Sequence, residues 1–468
     1  MAESSAMASA STSSGVKQKL GGYDLYREVL GSAKYVVAPM VDQSELAFRI
    51  LCRRYGAQVA YTPMINAHVF PFYGKKQQDK NFDVSEGEEG APGLDRPLVV
   101  QFCGNNPDEL LASARIVEAH CDAVDLNLGC PQDIAKKGHY GSWLQDEWEL
   151  VYKLVNTLHE NLSIPVTAKF RIFSDPERTL AYAKMLERAG AQILTVHGRT
   201  RDQRGVNSGL ADWKQIAMVK QAVSVPVLAN GNMLYQEDIE ACLQATGADG
   251  IMSAEGLLYN PALFAGLAPL TQPSSSTPLH PLLAASTSTS SSSAHNLHPS
   301  VTALALEYLT ICRELNTHTS LGAIRGHLFK ILRPALAKHT DLREKLGRAR
   351  VRDKGKGWWK VHGEDGSLTE YEEIIGELEE RLRADADGHP ATITADPETG
   401  LKEVPWWLTQ PYIRPLPEVT PKTGSALKSR LDALRAERAL SISPEAEPGM
   451  DLSALEGLDE GKLVGVSA

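Results

Sequence analysis

No apolar run in this 468-residue chain approaches the roughly 18 residues that a membrane-spanning helix requires, so no membrane attachment is expected. The six cysteines, Cys52, Cys103, Cys121, Cys130, Cys242 and Cys312, include no C-x-x-C pair and no metal-ligand spacing. That argues against a bound metal and fits free thiols in a reducing compartment, cytoplasmic or nuclear. No G-x-G-x-x-G opens a helix, which disfavours the doubly wound dinucleotide fold. Nor is there an excess of positive charge, since the net is −10 at pH 7. The first fifteen residues are rich in Ser and Ala, without arginine and without an apolar core like that of a signal peptide. Residues 1–30 are therefore expected to be disordered or loosely ordered.

What is present begins with a local asymmetry that the net charge hides. Residues 301–360 carry thirteen Lys/Arg against five Asp/Glu, and residues 361–390 carry two against ten. The basic block could face phosphate or be a solvated helical surface. Upstream, eight short apolar runs occupy residues 35–40, 58–64, 98–103, 123–128, 166–170, 193–197, 225–229 and 250–253. Each is apolar or β-branched and bounded by Gly, Pro or Asn, as strands buried on both faces should be. Helix signals fill the gaps. Asn106-Pro107-Asp108-Glu109 and Asp175-Pro176-Glu177 each read as an N-cap, a first-turn proline and first-turn acid. Eight strands alternating with helices predict an α/β chain of the (β/α)8 TIM-barrel type over residues 31–270. A Ser/Thr/Pro-rich insertion, 271–300, follows. Next come a small basic all-helical domain, 301–360, and an acidic, Pro-rich, mostly flexible tail, 361–468, in which Pro405-Trp406-Trp407 and Pro411-Tyr412-Ile413 are expected to dock.

Chemistry in a parallel barrel sits at the carboxyl ends of the strands. Candidate site residues, most of them polar, cluster there: Pro39-Met40 after the first run, Gln101 in the third, Asn127 and Cys130 at the fourth, Lys169 and Arg171 at the fifth. His197 and Arg199 follow at the sixth, Asn230-Gly231-Asn232 at the seventh, and Ala254-Glu255 at the eighth. A charge in a buried strand is costly unless it is paired or used. Asn230–Asn232 and Ser253–Gly256 could offer backbone N–H groups to a phosphate. From the residues alone this is a barrel for a phosphate-bearing ligand, with flavin the leading candidate. Cys130 is singled out by its setting: Pro131 ends the strand, and a Gly-rich stretch, Gly138 to Ser142, follows.

Several stretches together resemble the tRNA-dihydrouridine synthases, most of all the eukaryotic subfamily acting on D-loop positions 16 and 17. They are APMVDQSELAFR (38–49), YTPMINA (61–67), LNLGCPQ-x-IAKKGHYGS-x-LQDEW (126–148), AKFRIF (168–173), TVHGRTR (195–201), ANGNM (229–233) and GIMSAEGLLYNPALF (250–264). The resemblance implies bound FMN, NADPH or NADH as electron donor, and tRNA as substrate. It implies Cys130 as the acid that protonates uracil C5 after hydride reaches C6. It assigns FMN to Pro39, Met40, Val41, Gln101, Lys169, His197, Asn230, Gly231, Asn232, Ala254 and Glu255. Many flavin barrels have Gly-Arg where this chain has Ala254-Glu255, so phosphate must here rely on backbone N–H groups and neighbouring cations. Candidate tRNA contacts are Asn127, Lys136, Lys137, Arg171, Arg199, Arg325, Lys330 and Arg333. Arg325, His327 and Lys330 are expected to flank an inward-packing set of Leu328, Phe329, Ile331 and Leu332. A monomer is expected. The competing reading is a small-molecule FMN-dependent dehydrogenase of the dihydroorotate type, which explains the strand ends but not a basic helical domain.

Overall fold

The computed structural model describes residues 19–267, 280–284, 297–349, 368–387, 392–395 and 401–413. Its centre is a closed parallel barrel. The strands are β1 (Tyr35–Val37), β2 (Val59–Tyr61), β3 (Ile65–Asn66), β4 (Leu98–Cys103), β5 (Ala123–Leu128), β6 (Val166–Arg171), β7 (Leu194–His197), β8 (Val227–Asn230) and β9 (Gly250–Ser253). β1 pairs with both β2 and β9, which closes the ring. β2 and β3 both pair with β4, so they are two parts of one stave. The break falls at Thr62-Pro63-Met64, where proline has no N–H to give a ladder. Eight staves result, as the eight apolar runs predict.

Period-two pleating decides which side chains meet. Val124, Leu126 and Leu128 of β5, and Val166, Ala168 and Phe170 of β6, join the core beneath the surrounding helices. The alternate residues point into the barrel. Its floor is apolar: Val36, Val59, Val99, Ala123, Ile193, Leu228 and Met252 form one cluster with Leu25, Leu30 and Ala33. The N-terminal expectation is corrected here. Residues 1–18 lie outside the described residues, but Gly22–Asp24 and Leu25–Val29 are helical. They plug the barrel's lower end because Leu25 has apolar floor to bury against. Tyr26 anchors the plug by donating its hydroxyl to the carbonyls of Asp249 (2.7 Å) and Ala33 (3.2 Å).

The two predicted caps form. Asn106 Oδ1 accepts from the backbone N–H of Asp108 (2.9 Å), and Asp175 Oδ1 from that of Glu177 (3.0 Å). Most of the 271–300 insertion lies outside the described residues. Its Pro281–Ala284 piece is helical, and the Leu282 carbonyl accepts from Arg54 Nε (2.5 Å). The helical unit comprises Val301–Glu314, Leu321–Ile331, Arg333–Lys338, Thr340–Arg348 and Thr369–Ala386. The last of these, expected in a flexible tail, is an eighteen-residue helix with Tyr371, Ile374, Ile375, Leu378 and Leu382 buried. An acidic composition masked its apolar stripe. Among the described residues no helix is long and apolar enough to cross a membrane.

One polar knot joins the helical unit to the barrel. His327 is fully buried, stacked on Phe48 at 4.2 Å between ring centroids, and its Nε2 lies 3.1 Å from Glu45 Oε2. Tyr308 donates to the other Glu45 oxygen at 2.7 Å. The expectation that His327 flanks the apolar face is thus wrong. It faces inward because Glu45 offers a buried imidazole a partner. Burial alone would raise the Glu45 pKa, but His327 and the two hydrogen bonds hold it below the usual range. A carboxyl that titrates lower folded than unfolded contributes stability that is fully present above the unfolded pKa. That contribution is lost as pH falls through the folded value. Glu45→Ala should cost about 1–3 kcal/mol in denaturant unfolding at neutral pH, because it strands the Tyr308 hydroxyl and the His327 ring. The gap between mutant and wild type should close on acidification, and a pH-independent gap would remove Glu45 from this role.

Candidate active site

At the upper end of the barrel the inward-facing residues build a cavity with two adjoining lobes. The first is lined by Pro39, Val41, Met64, Gln101, Asn127, Cys130, Ile134, Lys169, Arg171 and His197. The second is lined by His197, Arg171, Arg199, Arg204, Asn230, Gly231, Asn232, Ser253, Ala254 and Glu255, and by Tyr412 and Ile413. Pro131, Gln132, Arg171 and His197 belong to both. The carboxyl ends of the six strands β4 to β9, with the loops that follow them and the segments after β1 and β2, therefore supply one site, as parallel register requires.

A hydrogen-bond relay orders the first lobe from below. Asp125 is buried in the middle of β5 and accepts from Thr167 Oγ1 (2.6 Å) and from Gln101 Nε2 (2.8 Å). Burial pushes its carboxyl up to about 6, against the pull of these two bonds and of Lys169. A carboxylate accepts only, so the Gln101 amide must turn its nitrogen down and its oxygen toward Asn127. Asn127 Nδ2 then donates to Gln101 Oε1 at 2.8 Å. The Asn127 oxygen is left to accept from the backbone N–H groups of Gly129 (3.1 Å) and Cys130 (2.9 Å). A buried acid thus sets the position of the Cys130 backbone through two amides. From above, the Cys130 carbonyl accepts from the Ser142 N–H (3.1 Å) and hydroxyl (3.0 Å). Gly141 has φ 68°, and a Cβ there would lie 2.7 Å from the Cys130 oxygen. Cys130 itself is partly exposed, whereas the other five cysteines are buried.

The electrostatics are cationic. Burial, then Arg171, pulls the Lys169 ammonium down to about 8, against the pull of Asp125. Among the described residues the Lys169 ammonium makes no hydrogen bond or ion pair. Burial and the neighbouring Arg171, Lys169 and Arg199 hold His197 well below its ordinary value, so it is a neutral ring. Arg199 Nη1 lies 3.2 Å from His197 Nε2. Because Arg can only donate, the ring proton sits on Nδ1. Arg171 is pushed down to about 10 by burial and Arg199. A site that crowds cations at this cost is suited to an anion. The second lobe adds a backbone suited to close approach. Gly231 has φ 120°, and a Cβ there would meet the Ala211 Cβ at 2.7 Å, so only glycine fits.

The sequence-predicted residues divide clearly. Cys130, Pro39, Val41, Gln101, Asn127, Lys169, Arg171, His197, Arg199, Asn230, Gly231, Asn232, Ala254 and Glu255 line the cavity. Met40 does not. Its backbone forms the turn that accepts from Ser44, and its side chain packs against the core. Arg171 and Arg199 tie loops together rather than facing outward. Arg171 donates to the carbonyls of Gly129 (2.8 Å), Thr200 (3.0 Å) and Gln203 (3.2 Å). Arg199 donates to Gly209 O (2.9 Å) and Asn232 Oδ1 (2.6 Å). Lys136 and Lys137 are exposed on the short helix Asp133–Lys137 beyond the rim, Lys136 lying 4.8 Å from the centroid of the Trp143 ring. Arg325, Lys330 and Arg333 are apart from the cavity lining. Arg325 donates to the Tyr371 hydroxyl (3.2 Å), Lys330 to Gln43 Oε1 (2.6 Å), and Arg333 lies 3.9 Å from the Tyr412 ring centroid. Sequence reasoning missed Asp125, Thr167, Ser142, Arg204 and Tyr412. Asp125 carried a signal, an acid in the middle of an apolar strand, and Tyr412 lies in the Pro411-Tyr412-Ile413 stretch that was expected to dock.

With this geometry in place, comparison with known proteins is decisive. The family model for dihydrouridine synthases matches residues 36–357. The chain belongs to the dihydrouridine synthase family. It is 44% identical over 415 residues to the tRNA-dihydrouridine(16/17) synthase of Saccharomyces cerevisiae, covering 88% of this chain and 90% of that one. It is 43% identical over 406 residues to the enzyme of the same name from Schizosaccharomyces pombe, covering 85% and 92%. A Mus musculus relative, named as tRNA-dihydrouridine(16/17) synthase-like, is 40% identical over 446 residues, covering 95% of this chain and 78% of its own. The names of all three specify NAD(P)(+).

The Lys169 environment makes a pH prediction for this oxidoreductase. Its ammonium is charged below about 8 and loses its charge above. Affinity for a phosphate-bearing ligand should therefore fall as pH rises from about 7 to about 9.5, with proton uptake on binding. Lys169→Met should bind more weakly throughout and lose that slope. An equally steep slope in the variant would show that another group titrates.

Proposed function

We propose that this chain is a tRNA-dihydrouridine synthase that uses FMN and NADPH or NADH to reduce uridines 16 and 17 of the tRNA D-loop. The observation that carries this reading is Cys130, the one partly exposed cysteine, held at the mouth of a cation-lined barrel cavity in a chain of this family.

The residues present fit FMN. Pro39 and Val41 offer an apolar wall, and Gln101, its amide oriented by Asp125, offers a polar edge to the isoalloxazine. Lys169 lies in the first lobe, and His197 and Arg171 lie where the two lobes meet. The backbone at Asn230–Asn232 and Ala254–Glu255, with Arg199, suits the phosphate end. Bound flavin supplies a hydride to C6 of uracil and is restored by the nicotinamide. Everything else falls to the protein. The target base must leave the RNA stack to reach the cavity. Val41 and Ile134, 57% and 68% exposed, flank the opening and give the extruded base apolar contact. Cys130 delivers its thiol proton to C5, and the relay through Asn127 fixes where that thiol stands. Exposed cations, Lys136 and Lys137 beyond the rim and Arg343 on the helical unit, are suited to phosphate contact, which positions RNA without reading its sequence.

Cys130→Ala should keep its FMN and its reduction by NADPH yet form dihydrouridine about 10²–10⁴-fold more slowly, measured in single-turnover assays on unmodified tRNA. Near-normal product formation would remove Cys130 from the mechanism. Replacing Lys136, Lys137 and Arg343 together by Ala should weaken all tRNA substrates similarly. It should also reduce the slope of log affinity against log salt by about 2–3, with flavin content unchanged. An unaltered salt slope would move the docking surface elsewhere. The reading as a whole is tested by isolating the protein with its flavin and mapping dihydrouridine in tRNA it has treated.

A further inference from the structure

The second lobe is not completed by the barrel. Tyr412 and Ile413, well past the 36–357 segment that defines the family, line it beside Asn232, Ser253 and Glu255. The segment that brings them there is firmly held. Trp406 Nε1 donates to Asp385 Oδ2 at 2.9 Å, and Lys338 Nζ lies 3.7 Å from a Trp406 ring centroid. The Trp407 carbonyl accepts from the Val301 N–H at 3.1 Å, and the Thr409 N–H donates to Pro299 O at 2.9 Å. Thr409 is fully buried, and its hydroxyl donates to Asn260 Oδ1 at 3.1 Å. His298 Nδ1 meets the Thr409 carbonyl at 2.6 Å. The segment therefore runs from the acidic helix, across the start of the basic helical unit, to the barrel's last loop.

At its end Tyr412 sits between two units. Its ring lies 5.3 Å from that of Tyr259, which closes the short helix beginning at Glu255, and Arg333 covers it at 3.9 Å. We infer that residues 405–413 are a strap that builds the outer wall of the phosphate end of the flavin site, with Tyr412 as the wall residue. The inference rests on the flavin reading and goes beyond it, because it assigns part of the cofactor site to the helical unit and the tail. The chemistry is suited to the place. An aromatic ring backed by a guanidinium excludes water from the anion's surroundings and brings a positive charge near without adding a competing donor inside the lobe. It also makes Arg333 a positioning residue for the cofactor wall rather than a free RNA contact.

The experiment is a titration of the flavin-free full chain with FMN, following quenching of flavin fluorescence and the rate of flavin release. Losing an aromatic wall should weaken FMN about tenfold in Tyr412→Ala, with faster release, whereas Tyr412→Phe should stay within about twofold of wild type. Trp406→Ala, altered outside the cavity lining, should also weaken FMN, because the strap loses its anchor on Asp385. Thermal unfolding of each variant separates loosening of the strap from loss of the fold. Wild-type affinity in both Tyr412→Ala and Trp406→Ala would overturn the strap. Failure of the unaltered chain to bind FMN would instead overturn the flavin reading on which it stands.

Discussion

A carboxylate inside a closed barrel has nowhere to find water, and much of the upper barrel follows from how Asp125 is satisfied. Two donors, Thr167 and Gln101, reach it from the neighbouring staves. That fixes the Gln101 amide, which fixes Asn127, which holds the backbone of Cys130. The alternative, an unpartnered acid in a low-dielectric interior, would cost several kcal/mol. The same acid also supports the Lys169 charge above it. The floor beneath is apolar and plugged by Leu25, so water does not enter from below to compete.

The cations follow a complementary logic. Arg171 and Arg199 spend their donors on backbone carbonyls of the loops that rim the cavity. They shape the site while lending it charge, and together with burial and Lys169 they hold His197 neutral. Lys169, without a hydrogen-bonded partner among the described residues, is the cation left available to a ligand. An arrangement that crowds like charge around a cavity is costly in the empty protein, and binding an anion relieves that cost.

The helical unit is not an appendage. The knot of Glu45, Tyr308, His327 and Phe48 sets it on the helix that follows the first barrel strand, and the 405–413 segment ties it to the last. Further polar contacts reinforce these two, among them Arg54 and Tyr55 with Glu307, and Glu88 with Asn316. Lys330 reaches Gln43 of the barrel and Arg333 covers the Tyr412 ring that lines the cavity.

The sequence by itself determined the barrel. Eight apolar runs bounded by Gly, Pro and Asn are strand signals that depend only on local pattern, and parallel order follows from the helices between them. It also determined most of the site, because pleating places alternate residues inside and parallel strands present their carboxyl ends together. Motif spacing carried the family. Only tertiary structure decided the rest. Whether Arg171 and Arg199 face a ligand or a carbonyl depends on loops brought from distant positions. The inward turn of His327 depends on Glu45, 282 residues away. The plug and the helix 369–386 were hidden, and so was the place where the Tyr412 stretch docks, because each gains its stability from a surface elsewhere in the chain, and local composition carries no record of such a surface.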